Sequence, residues 1–252
     1  MLKAPEKIPP EMVDKFLMVE GVHLEDQYID QAGEDTQDEL ISKFYNDKTF
    51  DSFLEKAKNK GQSYYGITDS WLYDCLDKFI KPTHKCLIIG STQPWYEAVL
   101  SSYGCKDITV SEYAKRPTFR GIKYIHPDEL KDKYDICISI SSYEHCGLGR
   151  YGDPLDPDGD LKAMKQLKNH MVEKGKLFLA VPVGQDALVW NAHRIYGHRR
   201  LPKLIEGWNI LGSSGYSPIA LDRYMGIDGS YDHSYYRGCG VHRFSFSNSF
   251  ES

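Results

Sequence analysis

The 252-residue chain has no run of 18 apolar residues, so the sequence offers no membrane-spanning helix. It also has no excess of basic residues: 31 Lys and Arg against 36 Asp and Glu give a net charge of −5. A surface that binds nucleic acid is basic, so this balance argues against a nucleic-acid partner. The six cysteines include no Cys-x-x-Cys pair, and this spacing argues against a zinc site.

The first residues, "MLKAPEKIPPEM", lack the basic stretch and apolar core that are typical of a secretory signal. Cys86 and Cys137 lie in apolar, strand-like runs, and we interpret the cysteines as reduced thiols. From these features we expect a cytoplasmic protein.

Residues 1–82 are predicted to form a helical extension or lid before an α/β domain at 83–252. Apolar residues recur at helical spacing over 47–61 and again over 69–80. Residues 20–39 are acidic and poorly periodic, and we expect a loop or lid there.

From residue 85 onward, short apolar runs alternate with helical patterns. The predicted strands are 85–90, 107–112, 122–125, 134–141 and 176–183, and the predicted helices are 94–103 and about 160–171. Strands that alternate with helices indicate parallel, right-handed βαβ units. The segments "WNILGS" and "VHRFSFS" are predicted to form a last antiparallel pair.

The stretch "KCLIIGSTQPWYEAVL", residues 85–100, reads as a buried strand, a turn at Gly90 and a helix. Ligands of doubly wound sheets bind at the carboxyl ends of the strands. Glu112 ends the second strand, 22 residues after Gly90, at the spacing of an acid that binds ribose hydroxyls. The pair predicts a ribose-bearing cofactor, and the alternative is an ordinary βα turn.

The turn favours S-adenosylmethionine over NAD. A pyrophosphate needs three glycines and a free helix N-terminus, whereas Thr92 and Pro94 occupy the later part of this turn. S-adenosylmethionine has no phosphate and tolerates a bulkier turn. Gly90, Ser91, Thr92 and Pro94 are therefore predicted to contact the cofactor.

The order of these features resembles the class I S-adenosylmethionine-dependent methyltransferases. The blocks "SSYEHCGLGRYGDPLDPDGDLKAM" and "LFLAVPVGQDALVWNAHRIYG" resemble more closely a methyltransferase-like family called domain of unknown function 268. The resemblance covers roughly residues 84–246. It implies a Rossmann-like α/β sheet, mostly parallel with an antiparallel last strand, and helices on both faces. Ile88 departs from the class, which carries an acid two residues before the first glycine.

In the class I layout the fourth strand ends beside the transferable methyl, here at Ser141 and Ser142. His145 is our first candidate for a general base, because an unperturbed imidazole titrates near neutral pH. Glu144 is predicted to orient His145 or to bind an acceptor hydroxyl, and His193 is the second candidate base. The alternative is that these side chains only hydrogen-bond the loop.

Around these residues, Arg150, Asp153 and Arg194 are predicted to bind the substrate. Four aspartates in the loop suit either a divalent metal or turns and a helix cap, and we favour turns, with Asp160 as the N-cap. Arg199 and Arg200 suit either a phosphate or solvent, and we expect them to face solvent. The Tyr-rich segment 213–239 suits either a sugar acceptor or a surface loop.

The sequence therefore predicts an S-adenosylmethionine-dependent O-methyltransferase for a small polar hydroxyl acceptor such as a sugar or glycan. Three alternatives stay open: a binding module that has lost catalysis, an enzyme for NAD or a nucleotide sugar, and an assembly protein. The sequence does not indicate an oligomeric state.

Overall fold

The computed structural model describes residues 3–19, 21–31, 33–214 and 241–247. The α-helices in these ranges are α1 Val13–Phe16, α2 Glu34–Phe44, α3 Asp47–Lys58, α4 Ile67–Phe79, α5 Trp95–Ser102, α6 Gly159–Leu167 and α7 Leu201–Leu204. The strands are β1 His23–Gln27, β2 Lys85–Ile89, β3 Asp107–Ser111, β4 Lys123–Ile125, β5 Tyr134–Ile140, β6 Met171–Pro182, β7 Ala187–Asn191, β8 His193–Ile195, β9 Asn209–Ser214 and β10 Val241–Ser247.

The main sheet within the described residues has the strand order β4-β3-β2-β5-β6-β10-β9. The first five strands are parallel, and β10 runs antiparallel to both β6 and β9. The α/β fold class predicted from the sequence is confirmed, including the antiparallel pair of β9 and β10. The order reverses beside β2, so the carboxyl ends of β2 and β5 border the crevice in which such sheets bind ligands.

Side chains alternate between the two faces of each strand, and each face of the sheet packs into its own core. Ile88 and Ile138 pack on one face, in a core that also contains Val99 of α5. Leu87 and Cys137, one residue before each of them, pack on the opposite face with Met164 of α6 in a second core. Strands covered on both sides read as continuous apolar runs, which is why they stand out in the sequence.

A second, three-stranded sheet joins the beginning of the chain to its later part. β1 pairs in parallel with β7, and β7 pairs with β8 in an antiparallel hairpin. Residues 20–39, expected to be a loop or lid, thus contain β1 and the start of α2, and the loop prediction is wrong there. β1 is an edge strand that includes Glu25 and Asp26 and has no buried residue, so its sequence lacks the apolar alternation typical of a half-buried strand. Within the described residues, no helix is long and apolar enough to cross a membrane.

The helix predicted at 160–171 ends earlier than expected, at Leu167, and Met171 already belongs to β6. Asp160 is also not the N-cap of α6, because the cap position is Asp158 and the helix begins at Gly159. Asp160 is instead fully buried, and its carboxylate accepts hydrogen bonds from Arg200 and from the Tyr196 hydroxyl. The expectation that Arg200 faces solvent is therefore wrong, whereas Arg199 is exposed.

Asp160 and Arg200 form a bidentate ion pair. Arg200 Nη2 lies 2.5 Å from Asp160 Oδ1, and Arg200 Nε lies 2.9 Å from Oδ2. Burial alone would raise the pKa of Asp160, but Arg194 and Arg200 hold it below its ordinary value. The ion pair fixes α6 against the chain that follows β8.

Asp160→Ala is expected to lower the free energy of unfolding by roughly 3–5 kcal/mol, because it leaves a buried guanidinium without its carboxylate. Urea denaturation at pH 7 measures the change. Asp158→Ala is the matched control, since Asp158 is exposed and lies 3.9 Å from Arg200. Equal stability of the two variants would contradict a stabilising role for the buried pair.

Candidate active site

A cavity of about 240 Å³ opens at the carboxyl ends of β2, β3 and β5. Its walls come from the turn after β2, the ends of β3 and β5, the face of α6, and residues 63–65 of the N-terminal segment. The site therefore combines the main sheet with a segment that precedes it in the chain. Its volume approaches the lower end of the range for small-molecule sites.

Gly90 makes the turn that shapes the floor of this cavity. Its φ of +76° lies in the left-handed region, and its amide donates to Ser111 O of β3 at 2.9 Å. A Cβ at this position would collide with the Ser142 side chain. Both the conformation and the space require glycine, so the turn brings bare backbone to the cavity wall.

Glu112 lies beside this turn, as the sequence predicts, and it lines the cavity. Its carboxylate accepts hydrogen bonds from the amides of Ser91 at 2.8 Å, Tyr113 at 2.8 Å and Ala114 at 3.3 Å. Burial raises the pKa of Glu112, although these amides favour the ionised form. A carboxylate has about four acceptor positions, so one remains on Oε2 for a ligand.

The other residues predicted to hold the cofactor fall into two groups. Ser91, Thr92, Ser141 and Ser142 line the cavity. Pro94 is not among the lining residues and is the N-cap residue of α5.

Glu144 and His145 follow β5 in a short 3₁₀ turn. Glu144 is fully buried, accepts a hydrogen bond from Ser141 Oγ, and lies with Oε1 3.8 Å from His145 Nε2. Burial raises the pKa of Glu144 to about 7. The carboxyl group therefore titrates in the range where a general base is most effective.

His145 lines the cavity, and its Nδ1 lies 2.6 Å from the carbonyl oxygen of Ala192. That contact requires the proton on Nδ1 and leaves Nε2 as an acceptor. Burial, reinforced by the neighbouring Arg150 and His193, lowers the pKa of His145 well below its usual value. The imidazole is neutral at pH 7, but it is a weaker base than its ordinary pKa suggests.

His193 and Arg150 lie next to His145, but they are not among the residues that line the cavity. The His193 ring lies 6.4 Å from the His145 ring, and burial lowers the pKa of His193 to about 3. Arg150 Nη1 donates to Ala192 O at 3.0 Å, and its Nε donates to Gln31 at 2.7 Å. The structure thus places neither residue where a substrate in this cavity would touch it.

Arg194 and Asp153, the other predicted substrate ligands, hold the loop after β5. Arg194 is buried and donates to the carbonyl oxygens of Cys146 at 2.5 Å and Pro157 at 3.3 Å. Asp153 lines the cavity, and its Oδ2 accepts from the amides of Gly147 at 2.7 Å and Gly149 at 3.1 Å. Their geometry indicates a structural role in this loop.

The loop aspartates bind cationic side chains and backbone amides of the protein itself. Asp156 binds Lys162 at 2.6 Å and the amide of Asp158 at 3.0 Å, whereas Asp160 is paired with Arg200. Over the described ranges, no three His, Cys, Asp or Glu side chains are grouped so that they could hold a metal ion.

Aromatic side chains that sequence reasoning did not single out make up much of the cavity wall. They are Tyr64, Tyr65, Trp95, Tyr96, Tyr113, Tyr143 and Tyr151. Tyr64 is 82 % exposed at the mouth, and its ring packs edge-on against Tyr65 at 5.0 Å. The one signal for this pair is the "SYYG" stretch between two amphipathic helices, which places two aromatics in a turn. The Tyr-rich segment 213–239, which suits either a sugar acceptor or a surface loop, lies almost wholly outside the described residues.

The charge of the cavity has one sign. Glu112, Asp128 and Asp153 line it, and none of its described lining residues is Lys or Arg. A ligand with a phosphate would find no Lys or Arg among the described residues that line this cavity.

The strand order and the antiparallel β10 are those of the class I methyltransferase fold, in agreement with the sequence-based prediction. The chain belongs to the family described as "Caenorhabditis protein of unknown function, DUF268", whose profile matches residues 83–222. The resemblance to this family, which we predicted from the sequence, is confirmed.

No curated protein matches the chain significantly. Similar solved structures include a 1,6-didemethyltoxoflavin-N1-methyltransferase of Burkholderia thailandensis with bound S-adenosylhomocysteine, at 11 % identity and a TM-score of 0.46, covering 98 % of this chain and 92 % of that one. TehB of Haemophilus influenzae has 14 % identity and a TM-score of 0.45, with 71 % of this chain and 60 % of that one covered. The mitomycin 7-O-methyltransferase MmcR has 12 % identity and a TM-score of 0.44, with 86 % and 72 % covered. The fold assignment depends on the strand order of the chain itself.

Gly90→Ala is expected to weaken binding of S-adenosylhomocysteine by at least about tenfold, because a left-handed Ala costs roughly 1–2 kcal/mol and the new methyl meets Ser142. Adding Ser142→Gly should restore part of the affinity, since it removes the collision but not the backbone strain. Calorimetric titration measures both variants. Gly121→Ala is the control, because Gly121 also has positive φ but a methyl group there would have no atom within 4 Å. Unchanged affinity of Gly90→Ala would exclude this turn from the binding site.

Proposed function

We propose that the protein is an S-adenosylmethionine-dependent O-methyltransferase that acts on a small polar hydroxyl acceptor, with sugars and glycans as the candidate class. The observation that carries the proposal is the placement of two groups around one cavity. The Gly90 turn and Glu112 line the cavity at the ends of β2 and β3, and His145 lines it after the neighbouring β5. Glu144 is not among the lining residues and is buried beside His145. A cytosolic location remains a prediction from the sequence.

The charge of the cavity supports S-adenosylmethionine over the nucleotide alternatives. S-adenosylmethionine carries a sulfonium cation and no phosphate, whereas NAD and nucleotide sugars carry a pyrophosphate. Three carboxylates line the cavity, and none of its described lining residues is Lys or Arg. Anions are disfavoured beside carboxylates, and aromatic faces attract cations.

The residues present fit the cofactor. Glu112 retains one acceptor position, which suits a ribose hydroxyl, and Gly90 offers close approach to the backbone. The tyrosine rings of the wall suit the sulfonium. When bound, S-adenosylmethionine supplies an electrophilic methyl group.

The proton of a hydroxyl acceptor is assigned to His145 Nε2, which Ala192 keeps in the accepting tautomer. The carboxylate of Glu144, 3.8 Å away, stabilises the imidazolium that forms. Because His145 has a lowered pKa, this help from Glu144 is needed, and turnover should rise with pH as Glu144 ionises near pH 7.

The aromatic mouth supports a sugar as the acceptor. Tyr64 presents an exposed ring beside Tyr65, and flat aromatic faces pack against the apolar faces of sugar rings. Transfer of labelled methyl from S-adenosylmethionine to a panel of neutral sugars, sugar phosphates and amines tests the acceptor class. Labelled neutral sugar is the expected result, and exclusive labelling of amines would contradict O-methylation. Cofactor binding with no labelled product would favour the alternative of a non-catalytic binding module.

Glu112→Ala is expected to weaken binding of S-adenosylhomocysteine by roughly 1–3 kcal/mol, the cost of losing a buried charged hydrogen-bond partner. Titration calorimetry gives the affinity, and circular dichroism checks that the variant is folded. Asp128→Ala is the control. Asp128 also lines the cavity but is exposed, so its loss should change the affinity less. A folded Glu112→Ala protein with wild-type affinity would remove Glu112 from the site.

As the pH rises, the free energy of unfolding of the wild type is expected to fall below that of Glu144→Gln. An acid with a raised folded-state pKa holds its proton more tightly in the folded protein, so the wild type loses stability between the unfolded pKa near 4.5 and the folded pKa of about 7. Relative to the variant, the loss between pH 5 and pH 8 should be roughly 2–3 kcal/mol by urea denaturation. Glu129→Gln, at an exposed position, is the control. A difference that does not vary with pH would contradict the raised pKa.

A further inference from the structure

The turn after β2 lacks both the later glycines and the acid that the class I pattern places at the position of Ile88. A carboxylate nevertheless reaches this turn from the opposite direction. Glu97 lies in the first turn of α5, has no exposed surface, and accepts a hydrogen bond from Ser91 Oγ at 2.6 Å.

Ser91 makes three hydrogen bonds to distant side chains, and its hydroxyl also lies 3.1 Å from the carbonyl oxygen of Gln93 in the same turn. Its amide donates to Glu112 Oε2 at 2.8 Å, its hydroxyl donates to Glu97, and its carbonyl accepts from the Tyr45 hydroxyl at 3.2 Å. Ser91 also lines the cavity. Because Tyr45 comes from the segment between α2 and α3, the N-terminal part of the chain takes part in holding the turn.

The environment of Glu97 is costly for a carboxyl group. Oε1 also accepts from the Tyr124 hydroxyl at 3.3 Å, whereas Oε2 has no hydrogen-bond partner among the other described residues. The guanidinium carbon of Arg116, which is also buried, lies 5.7 Å from the centroid of the Tyr45 ring. An apolar side chain would fill this space without the penalty of a buried, half-satisfied carboxyl. The bond to Ser91 is what an apolar side chain would not supply.

We propose that Glu97 is a positioning residue that, together with Tyr45, fixes Ser91 in the conformation that presents the turn and Glu112 to S-adenosylmethionine. This inference rests on the proposed function for its ligand. These side-chain hydrogen bonds, which we call the brace, restrain a turn that lacks the later glycines and the acid at position 88. Glu97 acts through Ser91 and is not among the residues that line the cavity.

A double-mutant cycle on binding of S-adenosylhomocysteine by the full chain tests the proposal. Ser91→Ala and Glu97→Leu should each weaken binding about tenfold, and the double variant should be no more than about twofold weaker than either single variant. Glu97→Gln, which keeps an acceptor for Ser91 Oγ, should stay within about threefold of the wild type. Tyr103→Phe, at the other end of α5, is the control, since Tyr103 bonds Asp77 away from the cavity.

Glu97→Gln is expected to fold well, because burial raises the pKa of Glu97 to about 7 and the substitution removes a disfavoured charge at pH 8. Wild-type affinity in Glu97→Leu, or losses that multiply in the double variant, would overturn the proposal. So would failure of Glu97→Gln to rescue the affinity in a folded protein.

Amide hydrogen exchange of the ligand-free chain separates this inference from the proposed function. Exchange in the peptide that contains Ser91 should be faster in Ser91→Ala and Glu97→Leu and unchanged in Glu97→Gln and Tyr103→Phe. If the wild type binds no S-adenosylhomocysteine, the proposed function fails, while this exchange pattern still supports the brace. Equal exchange in all variants would overturn the brace whatever the ligand.

Discussion

The hydrogen bond from the Ser91 amide to the Glu112 carboxylate joins the carboxyl ends of β2 and β3, and the arrangement of the cavity depends on it. The bond sets the position of a carboxylate that lines the cavity and the path of the turn that carries Gly90. Burial makes this carboxylate costly to ionise, and three amides offset part of that cost. Side-chain and backbone donors here hold in place a turn that a glycine-rich sequence would form with bare backbone alone.

The sheet could be predicted from the sequence because its strands are buried on both faces. Continuous apolar runs such as β2 and β5 leave little ambiguity, and their alternation with helices gives parallel connections. The short strand β1 could not be predicted, because an edge strand with alternate exposed residues resembles an acidic loop. Asp160 resembles a helix cap because Asp at that place in a sequence commonly caps, and only its long-range contact with Arg200 reveals the ion pair.

The site was predictable in outline and not in its electrostatics. Residues that follow strand ends, such as Gly90, Glu112 and His145, come to one cavity because parallel strands end at the same edge. Burial cannot be read from the sequence, and burial is what lowers the pKa of His145 and raises that of Glu144. The cavity wall includes Tyr64 and Tyr65, which are distant in sequence from most of the other lining residues. No local sequence pattern predicts that these two side chains reach the cavity.

We propose that the cavity binds S-adenosylmethionine and that its described lining residues include no Lys or Arg for a phosphate. Calorimetric titration of the wild-type chain with S-adenosylhomocysteine, NAD⁺ and a uridine diphosphate sugar, side by side, tests it most directly. We expect micromolar binding of S-adenosylhomocysteine and no comparable binding of NAD⁺ or the nucleotide sugar. Binding of NAD⁺ or the nucleotide sugar in its place, or no binding of S-adenosylhomocysteine by folded protein, would contradict it.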